Sequence, residues 1–447
     1  MEGTQERMTE GAIGKKILRF AMPLFWGNLF QQLYNIADTL IVGNLLGNTA
    51  LAAVSSTGSL VFLLVSLFNG ISMGAGVVVS RFWGAKDTRN VQKAVHTALA
   101  LGLSAGVAVS VIGVLASPRI LVWMDTPQEV LKQSVIYIQV YFAGVLGMIM
   151  YNCCMGVMQA VGDSRHPLEY LIISSVLNVV LDLVMIIVFH MGVGGAALAT
   201  VISNFISFFL CMLRLTRVKE DYQVSLRKIR FDRRSLKMII RYGLPSGLQN
   251  SIISLANVVV QSNINTFGEM AIAGCGAYSK VEGFGFLPVT SFTMAITTFV
   301  SQNLGAKEYE RAKKGSRFGI LCSILMAEVI GALIFLEAPL LIKAFTSEPE
   351  AIDFGVQKAR TCTLFFFLLA FSHCVSAVLR GAGRAVTPMV VMLIFWCVVR
   401  VGFLTIFTPI FQNIAVVNWV YPLTWSLSSI TLLFCYLKSD WLHGFWR

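Results

Sequence analysis

SRFWGAKD at 80–87 returns as SQNLGAKE at 301–308, 221 positions later. The same offset carries Gln159-Ala160-Val161-Gly162 and Pro167 onto Arg380-Gly381-Ala382-Gly383 and Pro388. With one residue of slippage, ILRFAMP ending at Pro23 matches IIRYGLP ending at Pro245. Matched offsets at three separate places identify two copies of one unit, joined near residue 220. In a chain this apolar, a doubled unit points to a secondary transporter, which rocks one half against the other around a central site.

Of the 447 residues, 56% are hydrophobic and 13% charged, and the mean hydropathy is +0.73. Soluble domains carry about 25% charged residues, so this chain cannot cover a water-facing surface. Runs of about 20 apolar residues, each long enough to cross the hydrocarbon as a helix, fall at 15–42, 48–78, 92–115, 130–157, 166–190, 194–217, 236–262, 270–300, 314–338, 356–379, 386–409 and 415–438. Barrel strands would alternate and run about 10 residues, which fits these lengths poorly. The predicted fold is therefore an all-α integral membrane protein. It has twelve transmembrane helices in two six-helix lobes. Six spans per copy is an even number, so both copies enter the membrane in one orientation, related by a pseudo-twofold axis along the membrane normal. The expected lobes are 1–217 and 236–447, with a basic linker at 218–235.

The net charge of +12 is distributed by loop. Lys15, Lys16 and Arg19, then Arg81, Lys86, Arg89 and Lys93, then Arg214 to Arg241, then Lys307 to Arg317, then Arg380 and Arg384 fall in alternate loops. The other loops hold only Arg119, Lys132, Lys343, Lys358 and Arg360. This is the positive-inside pattern. It excludes a nucleic-acid reading of the charge and puts both termini and the linker in the cytoplasm of a multi-pass membrane protein. The first span is too long for a signal h-region and lacks a small-residue cleavage site, so no cleavable signal is expected. The nine cysteines lie within predicted spans without metal or disulfide spacing and read as small buried hydrophobes.

Gly84 and Gly305 are expected to let the chain reverse after the second helix of each lobe. Pro23 lies inside the first span and Pro288 inside the eighth. The eighth also carries Gly274, Gly276, Gly283 and Gly285, which makes it the expected bending helix. Ionisable residues inside spans are Asp38, Asp182, Lys280, Glu282, Glu328 and Arg400. Each acid costs about 2.5–3.5 kcal/mol at a helix centre, so function is the default reading. Four acids against two bases favour a cation as cargo or coupling ion. Asp38 follows Tyr34 and Asn35 by one turn, Asn178 and Asp182 share one helix face, and Thr200 offers a hydroxyl from the next span. Two carboxylates, an amide oxygen and a hydroxyl suit Na⁺, and the carboxylate pair could equally take up a proton. In the second lobe, Asn257 and Gln261 stand where Asp38 would be, and Glu328 has no evident partner.

With these residues in hand, the chain resembles the multidrug and toxic compound extrusion (MATE) family. The resemblance rests on Met22-Pro23, LYNIADTLIVG at 33–43, the two GAK segments, the turns QAVGDSRHP and RGAGRAVTP, and the duplication. It covers essentially the whole chain. It implies two six-helix bundles around a V-shaped central cavity, and export of cationic amphipathic compounds driven by inward H⁺ or Na⁺ without a cofactor. Similarity to the DinF-like branch assigns the coupling site to Asp38, Asn178, Asp182 and Thr200. The NorM-like branch uses second-lobe acids, and Asn257 and Gln261 depart from that pattern. Cavity or gating roles are expected for Tyr34, Asn35, Pro23, Asn257, Gln261, Lys280, Glu282, Pro288 and Arg400. The protein is expected to act as a monomer among membrane lipids, with no nucleic acid and no obligate protein partner. Rival readings are a lipid-linked saccharide flippase, whose cavity would be strongly cationic, and an intramembrane enzyme. No GxGD, HExxH or paired Ser/His motif supports the latter, and no GxxxxGK[ST] loop supports an ATP-driven pump.

Overall fold

A computed structural model describes residues 7–124 and 126–443. All regular structure among them is helical. In chain order α1 (13–46) and α2 (48–84) meet at Gly47, followed by α3 (Thr88–Trp123), α4 (128–160), α5 (Arg165–Val188) and α6 (Gly192–Arg217). Then come α7 (Arg233–Asn265), α8 (Glu269–Gly305), α9 (Tyr309–Lys343), α10 (349–381), α11 (Val386–Phe411) and α12 (Ile414–Lys438). Among the described residues, eight helices are long and apolar enough to cross a membrane, and ten are if the bent α4 and α10 each count as one span. The twelve-span expectation falls short at α1 and α7, which hold the same place in each copy. Gln31, Gln32, Asn35 and Asp38 in one, and Gln249, Asn250, Asn257, Gln261 and Asn263 in the other, lower their apolarity.

The backbone repeats as the sequence does. Gly47 (φ 82°, ψ 179°) and Gly268 (φ 91°, ψ 177°) share a conformation essentially confined to glycine. The α2–α3 and α8–α9 turns close with one pattern: the amide of Asp87 donates to Phe82 O (3.0 Å), and that of Glu308 to Asn303 O (2.8 Å). The left-handed residues there are Lys86 (φ 58°) and Lys307 (φ 62°), not the expected Gly84 and Gly305, which end their helices. These are helix-terminating motifs with lysine in the usual glycine position. Gly162 and Gly383, both at positive φ, end α4 and α10 the same way.

Bending also departs from expectation. α8 runs unbroken through Pro288 and its glycines. The broken helices are α4, bent by 47° at Gly144, and α10, bent by 54° at 364–365. Glu328 has a partner at the second break: its Oε1 accepts the freed amide of Phe367 at 2.6 Å. That hydrogen bond satisfies a backbone donor that lipid could not.

Two compact units divide the chain differently from a cut at 217–236. The first contains Arg7 and Trp26–Leu244, and the second contains Met8–Phe25 and everything from Pro245. The start of α1 thus belongs to the second unit. There Ile17 and Phe20 enter a core with Phe292, Ile296 and Phe299. Arg311 binds the carbonyls of Met8, Glu10 and Gly11 ahead of it, at 2.8–3.1 Å. The start of α7 belongs to the first unit, where Gly243 lies against α2 so closely that a Cβ on Gly74 would meet its backbone. Lipid supplies no hydrophobic drive between helices, so such small-residue crossings carry the association.

Candidate functional site

Within the first unit, α1, α4, α5 and α6 bring the sequence-predicted residues together. Tyr34 and Asp38 lie one turn apart on α1, and Asn178 and Asp182 one turn apart on α5. The carboxyl groups of Asp38 and Asp182 meet at hydrogen-bonding range. Thr200 on α6 donates to Ala196 O (3.1 Å), which leaves its hydroxyl oxygen to accept from Asn178 Nδ2 (3.5 Å). Asn178 and Asp182 are buried, and Asp38 is half-buried. Both Asp182 oxygens, Asp38 Oδ1 and Asn178 Oδ1 are sealed from solvent with no donor among the described residues. Four buried oxygen acceptors on neighbouring side chains form a set of the kind that suits a proton or a hard cation. Asn35 is exposed, and Pro23 is half-buried within a continuous α1.

Two residues that sequence reasoning missed complete this wall. Tyr137 and Tyr141 on α4 stack at 6.4 Å, and Tyr137 stands within electrostatic range of Asp38, Tyr34 and Asp182. Their spacing of four on an otherwise apolar span was the available signal. Beyond Asp182, α5 widens into a π-helix at Val184–Val188, a feature frequent at functional sites. An apolar layer of Val42, Ala50, Ile186, Val193 and Ala196 lies beside the site, with Tyr137 packed on it.

The second unit builds a different cluster in the equivalent place. Tyr278 donates to Glu282 Oε1 at 3.2 Å. Lys358 is buried, its Nζ 5.6 Å from the Tyr278 ring centre and 5.2 Å from that of Tyr421. Arg400 is buried with its guanidinium 4.6 Å from the Tyr421 ring, and it donates to Thr424 Oγ1 at 2.9 Å. Lys358 and Arg400 are the cations that act on Glu282. Lys280, expected inside, is exposed. Lys358 and Arg380, counted as loop charges, are both buried. A lysine at the end of a predicted span looks the same whether it reaches for the headgroups or turns inward. Asn257 and Gln261 are exposed on α7, where Gln261 donates to Asn265 at 2.9 Å, and Pro288 is buried.

The repeat relates the two clusters. Lys358 stands 221 residues after Tyr137, and Tyr421 221 after Thr200. The apolar layer is matched as well, with Ala50, Val193 and Ala196 answered by Ala271, Ile414 and Val417. Where the first unit sets Tyr137 beside its carboxylate pair, the second unit thus has Lys358.

The MatE family model matches residues 23–184 and 245–406, two stretches that open at the repeated prolines. The chain is similar to a Bacillus subtilis (strain 168) protein described as probable multidrug resistance protein YoeA. Identity is 29% over 99% of this chain and 98% of that one. A Thermotoga maritima protein described as probable multidrug resistance protein NorM is 26% identical over 96% of this chain and 93% of its own. Among solved structures, an outward-facing multidrug resistance MATE family transporter of the MOP superfamily matches with a TM-score of 0.92. It has 25% identity and covers 99% of each chain.

Proposed function

The chain belongs to the MATE family of multidrug transporters, and from that premise we propose that it is a secondary antiporter. It exports cationic amphipathic drugs or toxic compounds by alternating access, driven by inward H⁺ or Na⁺. Members of the family are transporters rather than enzymes and need no cofactor. The substrate class follows the relatives, which are described as multidrug resistance or export proteins.

The observation that carries the coupling is the meeting of Asp38 and Asp182 beside Asn178 and Thr200. Two carboxylates at that range coexist in a dry site only with a proton or a cation between them. Asn178 Oδ1 adds an oxygen of the kind a hard cation prefers. In this reading an ion entering from outside loads the pair and its release inside resets it, with H⁺ as the driving ion and Na⁺ able to occupy the same oxygens. The second unit has Val399 and Phe403 at the places of Asn178 and Asp182 and Lys358 at that of Tyr137, and we assign coupling to the first unit, as in the DinF-like branch. Glu282, Arg400, Asn257, Gln261 and Pro288 serve the pathway or its gating. We place six spans in each lobe by adding α1 and α7 to the ten. Both termini are cytoplasmic, and a monomer works in the bacterial cytoplasmic membrane.

The test is ion-gradient-driven dye export in proteoliposomes. Asp38→Asn and Asp182→Asn should each abolish export while the protein stays monodisperse, and Lys280→Gln should retain it. Export at the wild-type rate by both aspartate variants would remove the first-unit site. Dissipating ΔpH at constant Na⁺ should stop transport, whereas persistence on a Na⁺ gradient alone would assign Na⁺.

A further inference from the structure

A groove of about 490 Å³ opens on the second unit, between α9, the first half of α10 and the start of α12. It is separate from the polar cluster around Lys358. Its floor is one stripe of α10: Asp353, Gln357, Arg360 and Leu364 at successive turns, ending at the 54° break. Phe335 of α9 and Trp419 of α12 form the walls.

The surface beside the groove is apolar, as a lipid-facing one would be. Along α9, Leu325, Val329, Leu333, Leu336 and Leu340 form a stripe, each more than half exposed, and Leu364 and Trp419 are exposed to a similar degree. Polarity falls along its length. Asp353 lies about 6 Å and Arg360 about 16 Å along the axis from the start of α10, and Leu364 lies deeper. Helix side chains lean towards the N-terminus, so Arg360 rises towards Asp353 and the headgroup level. Its guanidinium lies 5.8 Å from the Phe335 ring centre. Among the described residues, neither Asp353 nor Arg360 forms an ion pair.

The first copy serves as an internal control. Lys132, Ile136, Gln139 and Ala143 stand 221 residues before the four stripe residues. There Gln139 donates to the backbone of Val114, the counterpart of Phe335, at 3.3 Å. The acid above an arginine is therefore particular to the second copy and is not imposed by the repeated fold.

We propose that this groove binds a membrane phospholipid whose headgroup carries a primary amine. The phosphate bonds to Arg360 and the ammonium to Asp353, while the acyl chains run past Leu364 between Phe335 and Trp419. A phosphate ester matches the guanidinium fork. A primary ammonium can donate to Asp353, and a quaternary one cannot.

Native mass spectrometry of the delipidated full-length protein tests this, with phosphatidylethanolamine, phosphatidylcholine and phosphatidylglycerol of identical chains. The wild type should retain phosphatidylethanolamine about tenfold more tightly than either other lipid, equivalent to about 1.4 kcal/mol. Arg360→Gln should lose that retention. Asp353→Asn should erase the preference for the amine while phosphatidylglycerol still binds, and Lys132→Gln in the first copy should change nothing. Equal retention of all three lipids by the wild type, or tighter retention of phosphatidylglycerol, overturns the proposal. So does an unchanged preference in monodisperse Asp353→Asn protein.

Discussion

Two lysines of the second unit decide how its buried charge is balanced. Lys280 stands two residues from Glu282 but is exposed. Lys358 stands far away in sequence but is buried against Tyr278, the residue that donates to Glu282. Removing one partner of a buried charge cluster leaves the other uncompensated, at a cost of about 3 kcal/mol or more. Lys358→Met should therefore lower the thermal unfolding midpoint clearly, whereas Lys280→Met should stay within about 0.5 kcal/mol of wild type. Adding Glu282→Gln to Lys358→Met should restore part of the loss, which a double-mutant cycle measures. Equal effects of the two lysine variants would show that the cluster is wrongly assigned.

Among the elements, the segment between α6 and α7 behaves differently from a free basic linker. Tyr222 and Val224 are buried, Gln92 on α3 donates to the carbonyl of Gln223 (3.1 Å), and the Ser225 amide donates to His96 Nε2 (3.1 Å). Losing that acceptor removes about 1 kcal/mol, so His96→Ala should speed amide exchange at Ser225 about fivefold. The segment ends at Asp232, whose carboxylate accepts the Ser235 amide (3.0 Å) and hydroxyl (2.9 Å) and lies 3.3 Å from Lys93 Nζ. The Ser235 amide first, against an opposing effect of burial second to it, and then the Ser235 hydroxyl and Lys93 hold the Asp232 carboxyl below the usual carboxylate range. A carboxyl lowered in the folded state stabilises fully above its unfolded value and loses that contribution only as pH falls through the lowered one. Protection factors at the start of α7, corrected for intrinsic exchange, should be flat from about pH 5 upward and fall only in stronger acid. A fall near neutrality would assign the docking to another group.

At the scale of the molecule, each unit has its own core, and the chain passes between units at Arg7–Met8, within α1 at Phe25–Trp26 and within α7 at Leu244–Pro245. Within the helices, movement of one unit against the other is expected to be absorbed at the crossings close to Pro23 and at Pro245, where an intrahelical hydrogen bond is already missing. Loading Asp38 and Asp182 is expected to bias that movement. A one-unit difference in pKa between two states is worth about 1.4 kcal/mol, or a tenfold change in population. Spin labels at Asn44 and Thr266 should report a distance distribution that shifts on acidification, and Asp38→Asn should hold much of the shifted population at neutral pH. Distributions indifferent to both would sink the coupling mechanism even if export were confirmed.

The duplication, the helical membrane class and the candidates Asp38, Asn178, Asp182 and Thr200 were legible in the chain, whereas Tyr137 and Tyr141 were not. Offsets, apolar run lengths and intramembrane acids are local properties that survive without knowledge of contacts. Asp38, Asn178, Asp182 and Thr200 stood out because charge and amide groups in lipid are costly and therefore conspicuous. Only the tertiary structure gathered the two aspartates in one site, buried Lys358 rather than Lys280 beside the Tyr278–Glu282 pair, and set Glu328 on the amide of a broken helix. It also showed that the first halves of α1 and α7 change units. These are outcomes of packing between segments hundreds of residues apart. A lysine, a proline or a glycine has the same spacing in the sequence whichever neighbour it finally meets.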